Sequence, residues 1–125
     1  MAEIENAKIT SVSLTMADHG CLTYWIGLEM NGGGCCYGGY SIGTGYLGAK
    51  PDEFKGSNAG LAAMMQIMNV VGVDKWEDLE GKYCRVISEG WGSTIDTIGN
   101  IIKDQWFNQR EFFKNYQKEK EKENE

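Results

Sequence analysis

Gly43-Thr44-Gly45-Tyr46-Leu47-Gly48 spells G-x-G-x-x-G, the spacing with which a chain cradles a pyrophosphate. That chemistry needs a context. A strand must feed the glycines, and a helix must start within them so that its N-terminus meets the phosphate. Here Ala49-Lys50-Pro51 follows, and the next helical pattern begins about ten residues later. No strand–helix–strand unit surrounds the motif. The chain has 17 glycines in 125 residues, so a chance match is expected. The stretch reads as a loop that holds no dinucleotide.

The other reactive side chains are also poorly placed for chemistry. His19, the one histidine, sits in a turn between Asp18 and Gly20, two residues before Cys21. Zinc sites want ligand pairs spaced as C-x₂₋₄-C or an equivalent. Cys35 and Cys36 are adjacent and point to opposite faces of a strand. Neither a metal site nor a Cys–His nucleophile is expected. His19 reads as an exposed turn residue, and Cys21, Cys35, Cys36 and Cys84 as reduced thiols used mostly for packing. Asp74, Glu77, Asp78 and Glu80 surround Trp76. A general acid and base need two carboxylates with split pKa values across a cleft. These four read as a solvated turn. No catalytic residue, cofactor or metal is expected, and the chain reads as non-enzymatic.

Recognition is the remaining chemistry. Gly38 and Gly39 stand in a strand, where missing side chains admit something close. That something is either Trp25 of the same sheet, or a ligand meeting a surface built from Trp25, Tyr37, Tyr40 and Tyr46. Aromatic side chains give such surfaces contact area at little entropy cost.

The elements that position these residues follow from periodicity. Lys8 to Met16, Cys21 to Met30 and Cys35 to Ile42 alternate as strands, separated by Ala17-Asp18-His19-Gly20 and Asn31-Gly32-Gly33-Gly34. Ser57 or Asn58 caps a helix over Ala59–Val71, with Leu61, Met64, Met65, Met68 and Val71 on one face, read as core, and Gly72 at its end. Trp76–Leu79 makes a short helical turn. Tyr83 to Ser88 and Thr94 to Ile102 read as strands, and Asp104 to Gln117 as a closing helix. The order β-β-β-α-β-β-α predicts an α+β fold: an antiparallel sheet of about five strands with helices packed on one side. Residues 1–113 form one domain. Residues 114–125 form a charged tail, read as a frayed helix or disordered.

Composition narrows the function classes. From Lys114 to Glu125 four lysines balance four glutamates, so the net charge of −6 belongs to the body. Basic residues are scattered, which argues against general nucleic-acid binding. No apolar run is long enough to span a membrane, so no membrane partner is expected. Met1–Asn6 is acidic and polar, unlike a signal peptide, which predicts an intracellular chain.

Three segments carry a resemblance. "ADHGCLTYWIGLEMNGGGCCYGGYSIG", "VVGVDKWEDLEGKYCRV" and "IGNIIKDQWFN" are similar to a family of small bacteriophage and prophage proteins that carries no assigned activity. The likeness covers most of residues 6–113. It implies work in the cytoplasm of a bacterial host during infection or lysogeny. Members often have other residues at Cys35 and Cys36, which speaks against a functional role for these thiols. The expected function is a non-enzymatic binding protein whose partner is a host protein, inhibition of a defence component being one form of this. The alternative is a protein that sequesters a small ligand or nucleotide on the Gly/Tyr-rich strand.

A homodimer is also expected. The strand Cys35 to Ile42 carries no charge that would guard a sheet edge. Trp106, Phe107, Phe112, Phe113 and Tyr116 put five aromatics within eleven residues, more than one helix face can bury.

Overall fold

The computed structural model describes residues 3–18, 20–30, 33–88 and 95–123. Strands β1 (Glu3–Asp18), β2 (Cys21–Met30) and β3 (Gly33–Thr44) form an antiparallel meander, and the two-residue β4 (Lys55–Gly56) pairs with the end of β3. Helix α1 (Asn58–Val71) then carries the chain back across the sheet, so that β5 (Tyr83–Ser88) pairs with the free side of β1. β6 (Thr97–Gly99) and β7 (Trp106–Asn108) extend that side, and α2 (Gln109–Glu123) closes the chain. The sheet order is β4-β3-β2-β1-β5-β6-β7, antiparallel throughout.

The fold is α+β, with seven strands where about five are expected. Both additions are invisible to periodicity. β4 is too short to alternate. β7 replaces the start of the expected closing helix: Trp106, Phe107 and Asn108 pair with Gly99, Ile98 and Thr97, and the helix begins only at Gln109. Asn108 makes that start possible, because its Oδ1 accepts from Glu111 N at 3.0 Å. The strand expected over Thr94–Ile102 shrinks to Thr97–Gly99, its first residue lying outside the described residues. Asn100 ends it: its side-chain oxygen accepts from Ile102 N at 2.9 Å and Lys103 N at 2.8 Å, turning the chain toward β7.

The sheet is curled, and Tyr37 measures the curl. It stands on β3, five strands away from β7, yet its hydroxyl lies 3.3 Å from both Asp96 O and Phe107 O. The concave side holds the core: Ile9, Tyr24, Ile26, Leu28, Tyr37, Val86 and Ile98 from the strands, with Ala63, Ile67 and Val70 from α1. Both helices pack on this side, α2 through Phe113 stacked on Tyr40 and Phe112 set edge-on to Phe107.

Helix α1 begins where expected. Ser57 Oγ accepts from Gly60 N at 3.0 Å, and Gly72 ends the helix with φ +99°. Its inward face differs from expectation. The buried residues are Ala59, Gly60, Ala63, Ile67 and Val70, whereas Leu61 and Met65 are exposed and Met64, Met68 and Val71 half-buried. Small side chains let the helix lie close on the sheet; Met64, Met68 and Val71 pack at the edge of the core, and Leu61 and Met65 turn outward. No described helix is long and apolar enough to cross a membrane.

Candidate functional site

The four residues of the expected binding surface go to four places. Tyr37 is fully buried, and burial pushes its hydroxyl pKa far above the ordinary tyrosine value. Tyr40 is half-buried with its ring 4.4 Å from that of Phe113, nearly parallel. Trp25 lies on the convex face of the sheet, over Gly39. Tyr46 stands in the loop after β3, 60% exposed, its hydroxyl donating to Glu53 Oε2 at 3.1 Å. The Gly/Tyr-rich strand therefore offers no continuous aromatic face.

The G-x-G-x-x-G stretch does not lead into a helix. After Gly48 come the three-residue 3₁₀ turn Pro51–Glu53 and then β4. α1 starts only at Asn58, and no parallel strand pair surrounds the loop. The glycines have local work. Gly45 N donates to Gly20 O at 2.8 Å, tying the loop to the β1–β2 turn, and the Phe54 ring lies where a Gly45 side chain would be.

What this arrangement creates is an apolar tip at the end of the sheet. Leu14 and Met16 continue the inward-facing side of β1 past the ground that α1 covers. The loop brings Tyr46 and Leu47 beside them, and these residues with Thr15 line an open cleft of about 410 Å³. Leu47 is 88% exposed and Leu14 48%. Phe54, on Gly45, extends the apolar surface. Leu14 alternates with Ser13 and Thr15, on the apolar side of its strand. Alternation reports which face a residue takes, not how far the helices reach. The signal that sequence reading missed is Leu47 itself, a large apolar residue held between glycines in a loop.

The candidate thiols and carboxylates do not line this cleft. Burial pushes the Cys84 thiol up to about 12, and burial first, then Cys36 and Glu5, raises that of Cys35. An activated thiol needs the opposite shift. Cys36 is exposed and Cys21 half-buried. Among the described residues no group of three or more His, Cys, Asp and Glu could hold a metal ion. His19 lies outside the described residues. Asp74, Glu77, Asp78 and Glu80 are all exposed around the 3₁₀ turn Trp76–Leu79, and Asp74 and Asp78 share an open recess with Lys82 and Asn69.

The aromatics expected at a dimer contact are largely spent inside the chain. Phe107 is buried. Phe112 meets the rings of Phe107, Phe113 and Tyr116. Trp106 covers Gly99 and carries the Arg85 guanidinium 4.6 Å from its ring centre.

No protein-family model, curated protein or solved structure matches the chain.

Proposed function

We propose that the chain is a phage- or prophage-encoded binding protein that acts without catalysis in the bacterial cytoplasm, by docking on a host protein. A defence component is the target class we favour. The observation that carries this reading is the apolar tip, where Tyr46 and Leu47 are held in solvent beside Leu14. Such residues cost solubility and add nothing to the core, so a docking role accounts for them best. The phage resemblance supports the cellular setting. The small-ligand reading would need an open Gly/Tyr surface; Tyr37 is fully buried, and the Trp25 ring lies beside exposed Gly39.

The test compares the parent chain with Leu47→Asp. Each is captured from host lysate through a tag, and retained proteins are identified by mass spectrometry. One host protein held by the parent and lost from Leu47→Asp is the expected result. Identical retention by both would overturn the role of the tip. A nucleotide library screened by thermal shift examines the alternative: a stabilising nucleotide would favour sequestration over protein docking.

A further inference from the structure

The outer face of α1 has an unusual chemistry for a surface helix. Between Lys55 and Asp74 there is no charged residue, in a chain where 30 of 125 residues are charged. A solvated helix ordinarily carries charge on its outer face. Instead Leu61 is 58% exposed and Met65 68%, one turn apart on the same ridge. Around them stand exposed Asn58, Gln66 and Asn69, with the small Ala62 half-buried between. The ridge cannot turn inward, because Gly60 and Ala63 already occupy the contact with the sheet.

We infer that a second copy of this chain covers the Leu61–Met65 ridge, α1 packing on its own counterpart across a two-fold axis. The charge pattern fits this occupant better than a membrane or a charged partner. A membrane surface is met by helices rich in lysine and arginine on their polar side, and α1 has neither. An acidic or basic partner would be met by opposite charge, and α1 offers none. A second copy imposes a different demand. Each copy carries a net charge of −6, so a two-fold contact is tolerated only where like charges are not brought together. α1 meets that demand. Its amides fit it as well: Asn and Gln each both donate and accept, so each can pair with its own symmetry copy, which a carboxylate or an ammonium cannot do. The Leu61–Met65–Asn69 row is an i, i+4 ridge, the kind that interdigitates when two helices cross. Met65, at the middle of that row, lies by the axis, where its flexible thioether adapts to its own copy.

One helix pair is a small interface, below roughly 1,200 Å², so association is expected at micromolar concentrations and above. Light scattering coupled to size exclusion tests it. The parent should have twice the monomer mass of 13.9 kDa at about 100 μM and fall toward 13.9 kDa on dilution. Met65→Lys should weaken association roughly 30-fold or more. It makes the net charge less negative, so a loss cannot be ascribed to greater repulsion between copies. Gln66→Glu keeps the shape, removes amide self-pairing and should also weaken the dimer. Leu47→Lys, in the loop after β3 and not on α1, should leave it intact. Circular dichroism confirms that each variant is folded. A parent of 13.9 kDa at about 100 μM overturns the proposal, as does a folded Met65→Lys or Gln66→Glu chain that dimerises like the parent.

Discussion

Gly60 lies against Ile42 with no room for a side chain between them: a Cβ built on Gly60 would overlap the Cβ and Cγ2 of Ile42. This contact sets how closely α1 approaches β3. It also sets the rotation of the helix, because the face carrying Gly60, Ala63 and Ile67 must be the one that descends on the sheet. The outward turn of Leu61 and Met65 follows from it.

Gly60→Ala therefore pits two effects against each other. Alanine in a helix interior is worth about 1 kcal/mol over glycine, and less in the first turn, where Gly60 stands. Overpacking the contact costs about 1–3 kcal/mol, since the atoms met are the branched stem of Ile42 and not a flexible tip. The overlap should prevail, and the variant should unfold at lower urea concentration. Equal or greater stability would show that α1 can lift off the sheet without penalty.

On the convex face Trp25 lies across the bare backbone of Gly39, its Cη2 2.6 Å from where a Cβ would stand. Gly39 also has φ +86°, which a β-branched residue adopts only under strain. Gly39→Val should cost about 2–4 kcal/mol by denaturant titration, from strain and overlap together. Gly56→Val, at a position where nothing lies within 4 Å and φ is not positive, should cost clearly less.

Tyr24, in the core of β2, donates to Gln109 Oε1 at 2.7 Å, joining the middle of the sheet to the first turn of α2. Tyr24→Phe leaves that amide oxygen buried without this donor, at a cost of about 1–3 kcal/mol. Pairing it with Gln109→Met should recover part of the loss, because replacing both partners removes the stranded polar group. Thermal unfolding of the two single variants and the double variant gives the coupling.

Stability should fall at alkaline pH. Burial raises the Cys84 thiol from 9.0 to about 12, and raises the Tyr24 and Tyr37 hydroxyls from 10.0. Each of these groups keeps its proton in the folded chain at a pH where the unfolded chain releases it. The folded state then binds more protons, so unfolding becomes easier as pH rises. For Cys84 the contribution is complete below about pH 9 and is lost as pH climbs toward about 12. The two tyrosines add their loss above about pH 10. Urea midpoints at pH 8, 9 and 10 should decline, and Cys84→Val should flatten the early part of the decline. A midpoint constant across that range would contradict the sign.

Much of the fold is legible in the residues themselves. The alternation of Cys21–Met30, the Ser57 cap, the Gly72 stop and the β-rich run Tyr83–Ser88 are local signals, and local backbone chemistry suffices to make each element. The same locality identifies the G-x-G-x-x-G stretch as a loop, because no helix start lies within reach of it.

Partnership decided the rest. Trp106 and Phe107 satisfy a helical pattern as well as a strand pattern, and only pairing with Gly99 and Ile98, brought near by the Asn100 turn, makes them a strand. Tyr37 reads as a surface aromatic until the curl of the sheet carries its hydroxyl to Asp96 and Phe107. Leu14 alternates like a core residue, yet the helices stop short of it. α1 has two plausible apolar stripes, and the choice between them rests on the fit of Gly60 to Ile42. Periodicity records which residues share a face of their own element. Whether another element reaches that face, and how closely it lies there, depends on contacts between residues far apart in the chain, and these exist only once the sheet has curled.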